Sequence, residues 1–265
     1  MYIKSFDDTK LFLNKETAPE DKCVCVIVHG LAEHQGRYDY LAQKFHQNGI
    51  GTYRFDLRGH GRSDGERAYY ACYQDMLKDV DTVVEMALTE NPKKPVFLLG
   101  HSMGGFAVAL YGAAYPNKRL AGLITNGAVT RDNAHLLSGV PEGADPHQRI
   151  PNQMGDGVCS VRAVVDWYQK DPYNCMTFTA GICMAIRDGI SWFAKHGSDF
   201  YYPVLMMHGE KDGLVSVKDT QEFFGMISSE DKQMKIYGKL FHEVFNEYRR
   251  DEAISDVIHW INNRI

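Results

Sequence analysis

What the sequence lacks narrows it first. No apolar run reaches the roughly 20 residues that a membrane-spanning helix needs, and the opening MYIKSFDDTK holds no apolar leader core. A soluble, cytoplasmic protein is expected. None of the six cysteines stands in a CxxC pair, and Cys23 and Cys25 lie two apart in an apolar stretch, where they share a face and do not easily bridge. That pattern favours buried free thiols over a disulfide framework. Basic charge is not in excess: 29 Lys and Arg face 34 Asp and Glu, for a net charge of −5. Such a balance excludes a nucleic-acid footprint and a polybasic membrane patch. The phosphate loop GxxxxGK[ST] is missing, and His242-Glu243 does not open a zinc motif, because Asn246 takes the place of the second histidine. No metal and no organic cofactor is expected. Repeats and low-complexity tracts are absent too.

What is present reads as alternating strands and helices. Tyr2–Phe6 and Leu11–Asn14 flank a turn and predict an opening hairpin. Cys23–Val28 (CVCVIV) is apolar throughout, as a strand buried on both faces should be. Helix spacing follows over 37–48, strand over 51–55, helix over 72–90, strand over 96–99, helix over 103–115 and strand over 120–125. The alternation then lapses from 129 to about 201, where the best helices are 161–169 and 180–196 and no clean strand appears. It resumes with strand 204–207, helix 217–226, strand 233–237 and helix 251–262. The expected architecture is therefore α/β: a mostly parallel, eight-stranded sheet with helices on both faces. Residues 1–128 and 203–265 form its core, and 129–202 form a helical cap insertion.

The chemistry gathers around one hydroxyl. In FLLGHSMGG, Ser102 sits between an apolar strand and a helix of small residues, with glycines two positions to either side. G-x-S-x-G is weak alone, but strand, sharp turn and helix together make a nucleophile elbow. The glycines have a steric reason, since side chains there would collide with the neighbouring strand or helix. A serine hydroxyl is inert without a base. Asp212 follows strand 204–207 and His242 follows strand 233–237, so Ser, Asp and His come in the α/β-hydrolase order at one end of a parallel sheet. Glu210 stays open as an alternative acid. His29-Gly30-Leu31 follows CVCVIV and can aim the Leu31 N–H at a substrate oxygen, with the Met103 N–H as second oxyanion donor. His101 is expected to leave the elbow in the opposite direction, His208 to support its turn, and Glu243 to be solvated surface. The loop DLRGHGRSDG (56–65) is read as charged and structural.

Together, HGLAEHQGRY (29–38), DLRGHGRSDG, GHSMGG (100–105), HGEKDGLV (208–215) and FHEVFNE (241–247) resemble the monoacylglycerol lipase and lysophospholipase-like branch of the α/β-hydrolases, of the serine aminopeptidase S33 type. The likeness spans nearly the whole chain apart from the insertion. It implies Ser102 as nucleophile, His242 as base, Asp212 as acid, and Leu31 with Met103 as oxyanion donors. It also implies a cap over the site, in which VVDWYQKDPY (164–173) is similar to the family's cap segment. One departure is Ala32, where the family commonly carries glycine. The expected substrate is a small acyl ester, monoacylglycerol or lysophospholipid. Apolar cap residues (Ile182, Ile186, Ile190, Phe193, Trp167, Tyr168, Val161, Val164, Val165) divide between packing and an acyl channel or transient contact with a lipid surface. Two rival classes stay open. One is a peptidase of the proline iminopeptidase kind, with Glu142, Asp145 and Asp156 as an acidic pocket; the other is a non-catalytic ligand-binding relative.

Overall fold

The computed structural model describes every residue except 142 and 154–156. Its eight-stranded sheet runs in the order β1-β2-β4-β3-β5-β6-β9-β10. The strands are β1 (Tyr2–Lys4), β2 (Lys10–Glu16), β3 (Cys23–Val28), β4 (Ile50–Phe55), β5 (Val96–His101), β6 (Gly122–Asn126), β9 (Val204–Gly209) and β10 (Lys232–Tyr237). The opening hairpin pairs antiparallel with β4, and every pairing from β4 to β10 is parallel.

Period-two alternation in fully buried strands feeds two cores. In β3, Val24, Val26 and Val28 face one apolar cluster, while Cys23, Cys25 and Ile27 face the other. β5 divides likewise, with Val96 and Leu98 on the first side and Phe97 and Leu99 on the second. Helices cover both faces. α1 (Asp39–His46) and α7 (Arg250–Asn262) lie over the cysteine face, the latter through Ala253, Ile254, Val257, Trp260 and Ile261 at helix spacing. α2 (Tyr73–Glu90), α3 (Met103–Ala114) and α6 (Val217–Met226) lie over the valine face. Each buried Leu, Ile, Val or Phe contributes on the order of 1.5–3 kcal/mol, so these two clusters are the main source of stability. All six cysteines are unbridged.

Between β6 and β9 the chain forms α4 (Arg162–Lys170) and α5 (Ala180–His196), close to the predicted spans. It also forms a short antiparallel pair that the sequence reading lacks, β7 (Arg149–Pro151) with β8 (Thr177–Thr179). Strands of three residues carry too little alternation to be seen in a sequence. Among the described residues no helix is long and apolar enough to cross a membrane.

Because the six parallel strands run the same way, the loops after β3, β5, β6, β9 and β10 all open at one rim. That rim carries Leu31, Ser102, Gly127, Asp212 and His242.

Candidate active site

The turn from β5 into α3 places Ser102 at φ 52° and ψ −117°, a left-handed geometry that costs a non-glycine residue about 1–3 kcal/mol. The flanking glycines let the backbones close on one another. A Cβ on Gly100 would lie 2.2 Å from the Gly104 carbonyl oxygen, and one on Gly104 would lie 2.2 Å from the Val28 carbonyl oxygen. The Ser102 amide is held by the Asn126 carbonyl at 2.8 Å. Among the described residues, neither the Met103 N–H nor the Leu31 N–H donates to a protein acceptor. Met103 opens α3, so its amide also lies at the positive end of the helix dipole.

Asp212 and His242 meet directly, with His242 Nδ1 donating to Asp212 Oδ2 at 2.6 Å. That bond leaves Nε2 as the basic nitrogen. The Asp212 side chain is fully buried and further satisfied: Oδ1 accepts from the Leu214 and Val215 amides at 2.9 and 2.8 Å, and Oδ2 lies 3.0 Å from His208 Nε2. Burial alone would raise its pKa. The two imidazoles outweigh it, and the carboxyl is held well below its usual range. Burial pulls the His242 pKa down, but Asp212 foremost, then Glu243 and Glu33, outweigh it and the net shift is upward. Ser102 and His242 line one water-sized cavity of about 20 Å³, with Arg37 and Glu243 also in its wall. The resting structure forms no hydrogen bond between Ser102 Oγ and His242; catalytic contacts of this type often tighten only around substrate.

Several neighbours sit otherwise than expected. His101 does not leave the site: its ring packs 4.6 Å from that of His242, with Nδ1 held by Asn126 Nδ2 at 2.8 Å. Burial and the adjoining His242 push its pKa down to about 4, so it stays neutral at pH 7. Glu243 is buried, not solvated surface. Both its oxygens bind Arg37, at 2.8 and 2.7 Å, and Arg37 also binds Glu33 at 2.7 Å. His208 does support its turn, binding the Val215 carbonyl and Thr220 Oγ1. Glu210 is exposed and accepts from the Lys239 amide, away from the imidazole. In the 56–65 loop, Asp56 accepts from the Gln35 and Arg62 amides and Arg58 pairs with Asp79 and Asp7, a structural arrangement as expected.

Two residues were missed altogether. Asn126 touches Ser102, His101 and the His242 carbonyl at once. Gly127, at φ 56°, leaves room for the imidazole, since a Cβ there would lie 2.9 Å from His242 Nδ1. Their one sequence signal is position, at and just past the end of a parallel strand.

A family model described as serine aminopeptidase, S33, matches residues 19–249. The chain belongs to this family of α/β-hydrolases. It is 35% identical over 247 residues to a monoacylglycerol lipase of Mycolicibacterium smegmatis, covering 90% of this chain and 87% of the relative. A monoglyceride lipase of Rattus norvegicus is 30% identical over 257 residues, covering 92% and 84%. A soluble variant of the Saccharomyces cerevisiae monoglyceride lipase, solved with a substrate analog, superposes with a TM-score of 0.91 at 22% identity, covering 100% of this chain and 94% of that one, and shows the shared fold.

In this hydrolase a cavity of about 280 Å³ opens beside Ser102. Leu31, Met103, Val129, Leu137, Phe178 and Ile186 are among its walls. Of the apolar residues expected to divide between packing and channel, Ile186 alone lines this cavity among the described residues; Ile182 and Phe193 pack into the core and Trp167 is half exposed. Asp145 is exposed and contributes nothing to the cavity, and Glu142 and Asp156 lie outside the described residues.

Proposed function

We propose that this chain hydrolyses monoacylglycerols and related small acyl esters, lysophospholipids included, through an acyl-enzyme on Ser102. In this reading residues 129–202 form a cap over a core made of 1–128 and 203–265. The observation that carries it is a strained serine with two unengaged amides beside it, an Asp–His pair sharing its rim, and an apolar cavity at its side. His242 Nε2 takes the Ser102 proton as Oγ attacks the ester carbonyl carbon, and Asp212 stabilises the imidazolium. The Leu31 and Met103 amides receive the oxyanion. The C–O bond then breaks, and His242 returns the proton to the departing alcohol. Water repeats the sequence, giving the fatty acid and free Ser102. Unbridged cysteines suit a reducing compartment such as the cytoplasm, and the apolar cap suits transient contact with a lipid surface. A panel of monoacylglycerols, lysophospholipids and aminoacyl amides, with fluorophosphonate labelling of Ser102, tests the reading. Turnover of acylglycerols with labelling supports it; preference for the amides moves the chain to the peptidases, and no labelling makes it a binding relative.

A pH profile follows from the same arrangement. The protonated imidazole has no lone pair for the Ser102 proton, so activity is lost as pH falls through the raised His242 pKa. The acid limb of kcat/KM should centre above about 6.5, the ordinary value for histidine. A limb centred below that would mean that Asp212 and Glu243 do not govern the base.

Gly127→Ala should cut kcat by at least about 100-fold, the scale expected when a catalytic group is displaced by about an ångström. Both the positive φ and the His242 ring oppose the added methyl. Steady-state kinetics beside a thermal melt will show whether activity falls while the fold persists.

A further inference from the structure

The 129–202 segment does more than roof the cavity, because it bonds to the turn that carries one of the amides. Resting on the reading of the Leu31 N–H as an oxyanion donor, we propose that Tyr168 of α4 is a positioning residue for that donor. Ala32, next in the chain, is buried with φ 62°, a conformation that L-residues rarely adopt. Its carbonyl receives two donors from the segment: the Tyr168 hydroxyl at 2.9 Å and the Cys175 amide at 2.8 Å.

The rest of the turn is fixed from the core. His29 Nε2 accepts from the Leu57 amide at 2.9 Å, so Nδ1 carries the proton and donates to the Gly30 carbonyl at 2.7 Å. The Gly30 amide donates to Glu33 Oε1 at 2.6 Å. The peptide plane that holds the Leu31 N–H is thus tied to the core through the Gly30 carbonyl, and the Ala32 carbonyl beyond it is tied to α4 and Cys175. Only the latter tie holds the strained residue. Losing a donor there lets Ala32 relax and shifts the Leu31 Cα end of that plane, tilting the N–H about the His29 bond.

Tyr168 is held for this task. Its hydroxyl accepts from Asn152 Nδ2 at 2.9 Å, which turns the phenol proton toward Ala32. Its ring lies under the Arg37 guanidinium, 4.8 Å from the centroid, so the ion cluster of Glu33, Arg37 and Glu243 and the oxyanion turn share one support. Burial keeps the phenol protonated by raising its pKa.

Tyr168→Phe keeps the ring and deletes the donor. With p-nitrophenyl butyrate, kcat should fall about tenfold with KM within about twofold, less than the 10²–10³ seen when an oxyanion donor is removed outright. Affinity for a trifluoromethyl ketone, whose serine adduct carries an oxyanion, should weaken by the same factor. Ser160→Ala is the control: it loosens the segment at Glu247, far along the chain from Ala32, and should leave kcat and the ketone unchanged. Wild-type kcat and ketone affinity in Tyr168→Phe would overturn the proposal, as would an equal loss in Ser160→Ala. Failure of the underlying reading looks different, because the oxyanion of the wild-type ketone adduct would then lie out of hydrogen-bonding reach of the Leu31 N–H in a crystal structure.

Discussion

Replacing Ser102 by alanine should lower kcat for a short p-nitrophenyl ester by at least about 10⁵-fold, the scale set by removing the nucleophile of a serine hydrolase. The Leu31 and Met103 amides and the apolar cavity survive the change, so a small residual rate above water is expected and KM should move little. The fold should persist. Ser102 contributes its backbone amide to the Asn126 carbonyl, and alanine keeps that bond. Its left-handed φ is as costly for alanine as for serine, so the melting midpoint should stay within about 2 °C. Ser102→Gly relieves that strain and should raise stability by about 1 kcal/mol while being equally inactive. Purified Ser102→Ala that turns over ester at more than about a thousandth of the wild-type rate would remove Ser102 from the mechanism.

Ser102, Asp212 and His242 were legible because each follows an apolar strand, and parallel strands bring their carboxyl ends to one rim whatever separates them in sequence. A periodicity argument needs no distances. The contacts that shape the site do need them. Glu243 reads as surface until Arg37, 206 residues away in the chain, closes on it. His101 was expected to point away, because the strained elbow hides which way its neighbour turns; in the fold it packs on the His242 ring. Asn126 and Gly127 have ordinary strand-end chemistry in a sequence, and only the arrival of His242 gives them a task. Tyr168 belongs to an amphipathic helix stripe, and no pattern in that stripe marks the one hydroxyl that reaches Ala32. Helix spans were read closely because their apolar spacing is long. The β7–β8 pair, three residues on each side, gave no such signal.

Asp212→Asn should cost about 10⁴-fold in kcat, through a tautomer and without a change of shape. If the side-chain oxygen of asparagine keeps the Leu214 and Val215 amides, its NH₂ group takes the place of Oδ2. It then faces His242 Nδ1 as a donor. The imidazole answers by moving its proton to Nε2, and the nitrogen beside Ser102 ceases to be a base. The second amide hydrogen meets His208 Nε2, whose tautomer is fixed by Thr220 on one side and the Val215 carbonyl on the other. That conflict in a fully buried spot should lower stability by about 1–3 kcal/mol, which urea unfolding will measure. The acid limb of the pH profile should move down as well, because the carboxylate that outweighs burial at His242 is gone. Glu210→Gln is the decisive comparison. Glu210 is exposed and bonds the Lys239 amide, so its loss should leave kcat within about twofold of wild type, as surface changes away from the chemistry do. The reverse result, with Asp212→Asn active and Glu210→Gln dead, would require the loop after β9 to rearrange around substrate and would transfer the acid role to Glu210.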